Sequence, residues 1–162
     1  MPFRFAFLFL TLLAFSACDK NRVFEKNREI KDYTWDSKSK AAFTFDIQDT
    51  AVLYNIYVNV RHADFYQFSN LWLMVRTTFP DGKQLSKRIE IPLSNADGAW
   101  YGEGLGDIWD ASHLIQQGAY FNKAGKYTFE LEHNMRKDPL PGIMAIGLRV
   151  EDTHVKKQPR LP

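Results

Sequence analysis

From Ala41 onward, apolar residues recur at every second position, the period of strands that bury one face. Phe43, Phe45 and Ile47 alternate with Thr44 and Asp46, and Gln48-Asp49-Thr50 ends the run. Tyr54, Ile56, Val58 and Val60 alternate with Asn55, Tyr57, Asn59 and Arg61, giving a second strand with one wet face. Leu71, Leu73, Val75, Thr77 and Phe79 predict a third, whose other face carries Trp72, Met74 and Arg76. Pro80-Asp81-Gly82 reads as a turn, because proline presets φ and glycine accepts the positive φ that follows. Ile89, Ile91 and Leu93 continue the pattern, and Pro92 points to an edge strand, where a missing N–H costs the ladder nothing. Gly102-Glu103-Gly104-Leu105-Gly106 reads as a sharply turning loop, and His113 to Phe121 as a strand. Tyr127, Phe129 and Leu131, then Ile146, Leu148 and Val150, complete the series. Roughly eight short strands and no long amphipathic helix predict an all-β fold, a single antiparallel β-sandwich for which a jelly roll is one candidate arrangement.

The N-terminus is patterned differently. Met1 to Arg4 carries a positive charge, Phe5 to Phe15 is apolar except for Thr11, and Ser16-Ala17 leads into Cys18, the only cysteine. Charge, apolar run and small residues in that order form a secretory signal. With cysteine directly after the small residues, the pattern predicts a bacterial lipoprotein signal over 1–17, cleaved before Cys18, whose thiol is acylated. Phe15 stands where the common motif has leucine or a smaller aliphatic residue. The apolar run is about half the ~20 residues needed to span a bilayer, so it predicts anchoring by lipid. Each buried CH₂ of an acyl chain contributes about 0.8 kcal/mol, so several chains together hold effectively permanently. Residues 18–40 are then expected to be the lipidated cysteine and a charged tether, with a reach on the order of 25 Å as a flexible chain. Val23, Phe24, Ile30, Tyr33 and Trp35 interrupt its charge, so docking onto the body is expected from about Tyr33. The sandwich is assigned to 41–151 and a flexible tail to 152–162.

Charge narrows the partners. The 21 basic and 19 acidic residues are mixed along the chain, for a net charge of +2. Nucleic acid calls for a clustered basic face and is not expected. A 45% hydrophobic composition supports one domain of this size without a metal or disulfide staple.

Signals for chemistry are weak. The alternate glycines 102, 104 and 106 lack the strand-before, helix-after context of a phosphate loop. Glu103, Asp107 and Asp110 supply oxygen ligands but match no EF-hand spacing, and the four histidines form no zinc motif. No Gly-x-Ser-x-Gly elbow is present. Neither a catalytic residue, a metal nor a cofactor is assigned, and an enzyme is not expected. Trp72, Trp100 and Trp109 fall on the less apolar strand phase or in loops, where exposed rings on a rigid scaffold stack on sugars or anchor a protein. They form the candidate ligand or partner surface, against the alternative that they complete a core with apolar residues on both sheet faces.

Several stretches resemble one family along nearly the whole mature chain: Cys18-Asp-Lys-Asn-Arg-Val-Phe-Glu25, Tyr54-Asn-Ile-Tyr-Val-Asn-Val-Arg61, Ser69-Asn-Leu-Trp-Leu73, Thr78-Phe-Pro-Asp-Gly-Lys83, Gly104-Leu-Gly-Asp-Ile108, Gly125-Lys-Tyr-Thr-Phe-Glu130, Met135-Arg136, Leu140-Pro-Gly-Ile143 and Gly147-Leu-Arg149. In their order they resemble the gliding motility lipoprotein GldH family of Bacteroidota. That resemblance implies an outer-membrane lipoprotein acylated at Cys18, serving the cell-surface gliding machinery alongside the type IX secretion system. It implies no catalytic residue and leaves open which membrane face the body occupies. The expected function is therefore a non-enzymatic accessory or structural component with envelope proteins as partners. The alternative is a glycan- or peptide-binding outer-membrane lipoprotein.

Overall fold

A computed structural model of the chain describes residues 20–158; Cys18 and the expected signal segment 1–17 lie outside them. Among the described residues eleven strands run in chain order: β1 (Arg22–Glu29), β2 (Thr34–Trp35), β3 (Ala41–Ile47), β4 (Val52–Ala63), β5 (Asn70–Thr78), β6 (Gln84–Pro92), β7 (Glu103–Leu105), β8 (Ile108–Ala119), β9 (Gly125–His133), β10 (Leu140–Pro141) and β11 (Ile143–Lys156). A single 3₁₀ turn, Lys31–Tyr33, separates β1 from β2. One sheet has the order β1-β11-β4-β8-β7, the other β3-β9-β5-β6, and β10-β2 forms a small third pair. Every pairing is antiparallel. The fold is an all-β antiparallel sandwich.

Its core is the alternating set read from the sequence. Phe43, Phe45 and Ile47 of β3, Ile56, Val58 and Val60 of β4, Leu71 and Leu73 of β5, and Ile146, Leu148 and Val150 of β11 are all buried in one cluster. Residues facing each other across a pair share a sheet face, so burial of one phase in each strand fixes the register. The Pro80 turn closes as expected: the Gly82 N–H donates to the Phe79 carbonyl at 2.9 Å with Gly82 at φ +80°. β6 lies at the edge of its sheet, as Pro92 indicated.

Three stretches differ from the sequence reading. Residues 22–29, assigned to the tether, form β1, which pairs with β11 from Arg22↔Glu151 to Glu29↔Ala145. Docking begins at Arg22, well before Tyr33. The sandwich also extends past 151, since β11 continues to Lys156 opposite Val52. Both segments pair mainly through their backbones and leave most side chains exposed. Hydropathy periodicity has nothing to detect in such edge segments. Within the glycine loop, β7 forms a short hairpin arm against β8.

The register also defines two ends. β4 runs from Val52 to Ala63, and at about 3.3 Å per residue the ends lie roughly 35 Å apart. The proximal end collects the start of β1, the end of β11, the β5–β6 turn and the β8–β9 connection. The distal end collects the β4–β5 connection, the β7–β8 hairpin and the β2–β10 pair.

Candidate functional site

At the distal end, β4 turns outward at Ala63 and delivers Asp64 to the β7–β8 hairpin, where the Asp64 N–H donates to the Asp107 carbonyl at 2.8 Å. Asp64 Oδ1 accepts two indole N–H groups, from Trp100 Nε1 at 2.9 Å and Trp109 Nε1 at 3.2 Å. Two of the three tryptophans singled out in the sequence therefore meet on one carboxylate. The third does not join them: Trp72 is on β5, in the other sheet, with the Arg88 guanidinium 4.0 Å above its ring.

The hairpin has its glycines for stated reasons. A Cβ on Gly104 would stand 2.8 Å from the Trp109 ring, so the indole lies flat on bare backbone. Gly102 takes φ +95°, and a Cβ there would meet the Asp110 carbonyl oxygen at 2.1 Å. Asp110 itself accepts a two-pronged hydrogen bond from Arg61, at 2.9 and 3.1 Å. With Asp110 committed to Arg61 and no three His, Cys, Asp or Glu side chains gathered to hold a metal among the described residues, the tip has no built cation site.

Beneath the tryptophans lies a buried polar layer. His62 is fully buried; its ring meets Trp100 at 4.6 Å between centroids, and its Nδ1 lies 3.1 Å from the Ala63 carbonyl, to which it donates when protonated there. Burial holds the His62 pKa below the usual histidine value, against smaller opposing effects of the Ala63 carbonyl, Asp64 and Asp110. His113, on β8, is also held low, first by burial and then by His62. Nε2 of both rings is buried without a hydrogen-bond partner among the described residues. Burial also raises the pKa of the Tyr66 phenol, which donates to the Asn70 carbonyl at 3.0 Å.

Over this layer the surface is apolar. Leu105 at the hairpin tip is 87% exposed and Phe65 is 64% exposed, with Ile108 and Tyr101 also open. Asp64, Asp107 and Glu103 lie in the same two turns. Clusters of exposed apolar side chains with a charged rim are characteristic of protein-docking surfaces. The sequence reading missed Asp64, Phe65 and Leu105. Leu105 had a legible signal, since an apolar residue between two glycines in a turn has no strand face to bury against.

A model of the family described as GldH lipoprotein matches residues 22–150. The chain belongs to the GldH lipoprotein family. Among its relatives, "Gliding motility lipoprotein GldH homolog" of Christiangramia forsetii is 32% identical over 154 residues, covering 91% of this chain and 93% of the relative. "Gliding motility lipoprotein GldH" of Flavobacterium johnsoniae is 29% identical over 151 residues, covering 89% and 93%. The GldH match begins at Arg22, the first residue of β1, so the first strand of the sandwich belongs to the family's shared body. Among solved structures, dimeric latent PorU from Porphyromonas gingivalis is 10% identical over 88% of this chain and 14% of its own, at a TM-score of 0.31, a likeness too slight to bear on fold or function.

Proposed function

We propose that this GldH-family protein is a non-enzymatic accessory or structural component of the gliding machinery. It is held on the outer membrane by acylation of Cys18 and binds an envelope protein through its distal tip. The observation that carries this reading is the exposure of Phe65 in the β4–β5 connection and of the paired Leu105 and Ile108 in the β7–β8 hairpin, two turns joined by the Asp64 N–H to Asp107 carbonyl hydrogen bond at the end opposite β1's start. An apolar centre with an acidic rim suits a partner with an apolar pocket flanked by lysine or arginine. Partners within the gliding and type IX secretion apparatus are the candidates. The glycan-binding alternative has less support, because the Trp109 ring packs against Gly104 and Trp72 is covered by Arg88.

The test is Leu105→Asp in a gliding host that depends on this protein, alongside Cys18→Ala. Leu105→Asp is expected to leave thermal stability within about 0.5 kcal/mol, as for an exposed position, and to keep the protein on the membrane. Colony spreading is expected to stop. Cys18→Ala is expected to release the protein into the soluble fraction. Normal spreading by Leu105→Asp overturns the docking role of the tip, and membrane retention of Cys18→Ala overturns the anchor.

A further inference from the structure

The proximal end is chemically unlike the tip. Lys20, Lys83, Lys123, Lys126, Lys156 and Lys157 come together there from both sheets. Asp46 lies opposite Lys126 in the register, and three further aspartates there are turned to local work. Asp49 accepts the Ala51 N–H, Asp152 accepts the His154 N–H, and Asp81 accepts the Lys83 N–H while pairing with Lys123 Nζ at 2.8 Å. Between these cations a groove of about 400 Å³ opens, lined by Phe79, Leu85, Tyr120 and Tyr127, with Lys83 and Lys123 at its rim.

Two of its walls are exposed apolar residues. Leu85 shares a phase of β6 with the buried Ile91, yet it is 59% exposed. Tyr120 is also 59% exposed, with Lys157 Nζ 5.2 Å from its ring. Tyrosine and lysine side by side on an apolar floor are the composition of a membrane–water interface.

The chain's length brings this end to a bilayer. Strand pairing starts at Arg22, and the Asn21 carbonyl already accepts the Asp152 N–H at 2.8 Å. Only residues 19–21 separate Cys18 from Arg22, a covalent reach of at most about 14 Å. That distance is comparable to the Debye length of about 8–10 Å in physiological salt, so an anionic surface acts on these lysines.

Resting on the Cys18 anchor of the preceding section, we propose that the proximal end seats directly on the anionic surface of the bilayer that carries the anchor. The lysines meet headgroup phosphates, and Tyr120 and Leu85 enter the interfacial layer. The distal end, roughly 35 Å away along β4, is then turned away from the bilayer. The lipid holds the protein on the membrane and the basic end sets its orientation.

The experiment uses the full-length protein purified from membranes, with mass spectrometry reporting whether Cys18 carries lipid. The lipidated protein is placed in vesicles of phosphatidylethanolamine and phosphatidylglycerol, or of phosphatidylcholine alone. Acylation consumes the only native thiol, so Lys126→Cys or Asp97→Cys provides a unique site for a fluorophore, read against an acceptor on the headgroups. The expected result is that position 126 lies close to anionic vesicles and position 97 roughly 30 Å farther. The difference should shrink on phosphatidylcholine, in 0.5 M salt, and in the triple variant Lys83→Glu, Lys123→Glu, Lys157→Glu. Equal distances for the two labels, or the same orientation on both lipids, overturn the proposal. If mass spectrometry finds no lipid, the anchor reading fails by itself, and the basic end is then tested by co-sedimentation with the same vesicles. Binding to anionic vesicles that weakens about fivefold per lysine removed sustains the basic surface. No charge-dependent binding overturns it. The melting curve of the triple variant, expected to match the native one, separates lost binding from lost folding.

Discussion

The two ends of this sandwich share strands but not chemistry. Proximally, lysines frame an open apolar groove and the aspartates cap their own turns. Distally, one aspartate gathers two indoles over a fully buried histidine, and a leucine stands out on a hairpin. The core between them is a single cluster. The difference teaches that strand register and core burial constrain the middle of a sandwich closely, whereas its loops are free to diverge. Opposite ends can then serve opposite surfaces.

The largest test of this contrast attacks the β1–β11 pairing through which the proposed anchor joins the body. A Cβ at Gly147 would stand 1.8 Å from Asn27 Oδ1 and 2.9 Å from the Lys26 carbonyl oxygen. Asn27 can swing aside, but the backbone cannot without pulling β1 from β11. Gly147→Val is expected to cost about 1–3 kcal/mol in denaturant unfolding. It should also open residues 22–29 to limited proteolysis while leaving the tip's indole fluorescence unchanged. Native protease resistance in this variant would mean that the Gly147 contact does not hold β1 on β11.

A smaller effect separates the ends by pH. His62 and His113 have folded pKa values below the 6.5 of the unfolded chain, so the unfolded state binds protons first as pH falls. Stability from these neutral rings is complete above pH 6.5 and is lost as pH drops through their folded values. The melting temperature is expected to fall between pH 7 and 5.5, and His62→Gln should flatten that slope. Glu25, Asp81 and Asp138 are shifted down from ordinary carboxylate values, so their contributions are lost only at more acidic pH. A slope unchanged in His62→Gln would remove the distal histidine as its source.

The smallest expected effect concerns Asp64. Asp64→Ala leaves two partly exposed indole N–H groups to water and should cost about 1 kcal/mol. Tryptophan emission should shift to the red, whereas Asp64→Asn, which keeps an acceptor oxygen, should restore most of it. Loss of stability with no spectral change would mean that Asp64 braces the loop without holding the indoles.

Much of the fold was legible in the sequence. β3, β4, β5 and β9 announce themselves because each buries one face, which forces apolar residues onto every second position. β1, β7 and the end of β11 do not. They pair largely through backbone groups and carry mostly exposed side chains, so a charged stretch such as Arg22–Glu29 reads as a tether. The candidate site was only half legible. Trp100 and Trp109 stood out by residue type, but their shared acceptor lies 36 and 45 residues away along the chain.

By itself the sequence determined the class of fold, the strand phases that make the core, the family and the expected signal before Cys18, because each is written in local pattern or residue order. The tertiary structure decided that strand pairing begins at Arg22, that lysines distant in sequence gather at one end, and that one Asp64 carboxylate accepts two tryptophan N–H groups. Those outcomes depend on which strands become neighbours. That choice is made by packing across the whole domain, which no short stretch of sequence records.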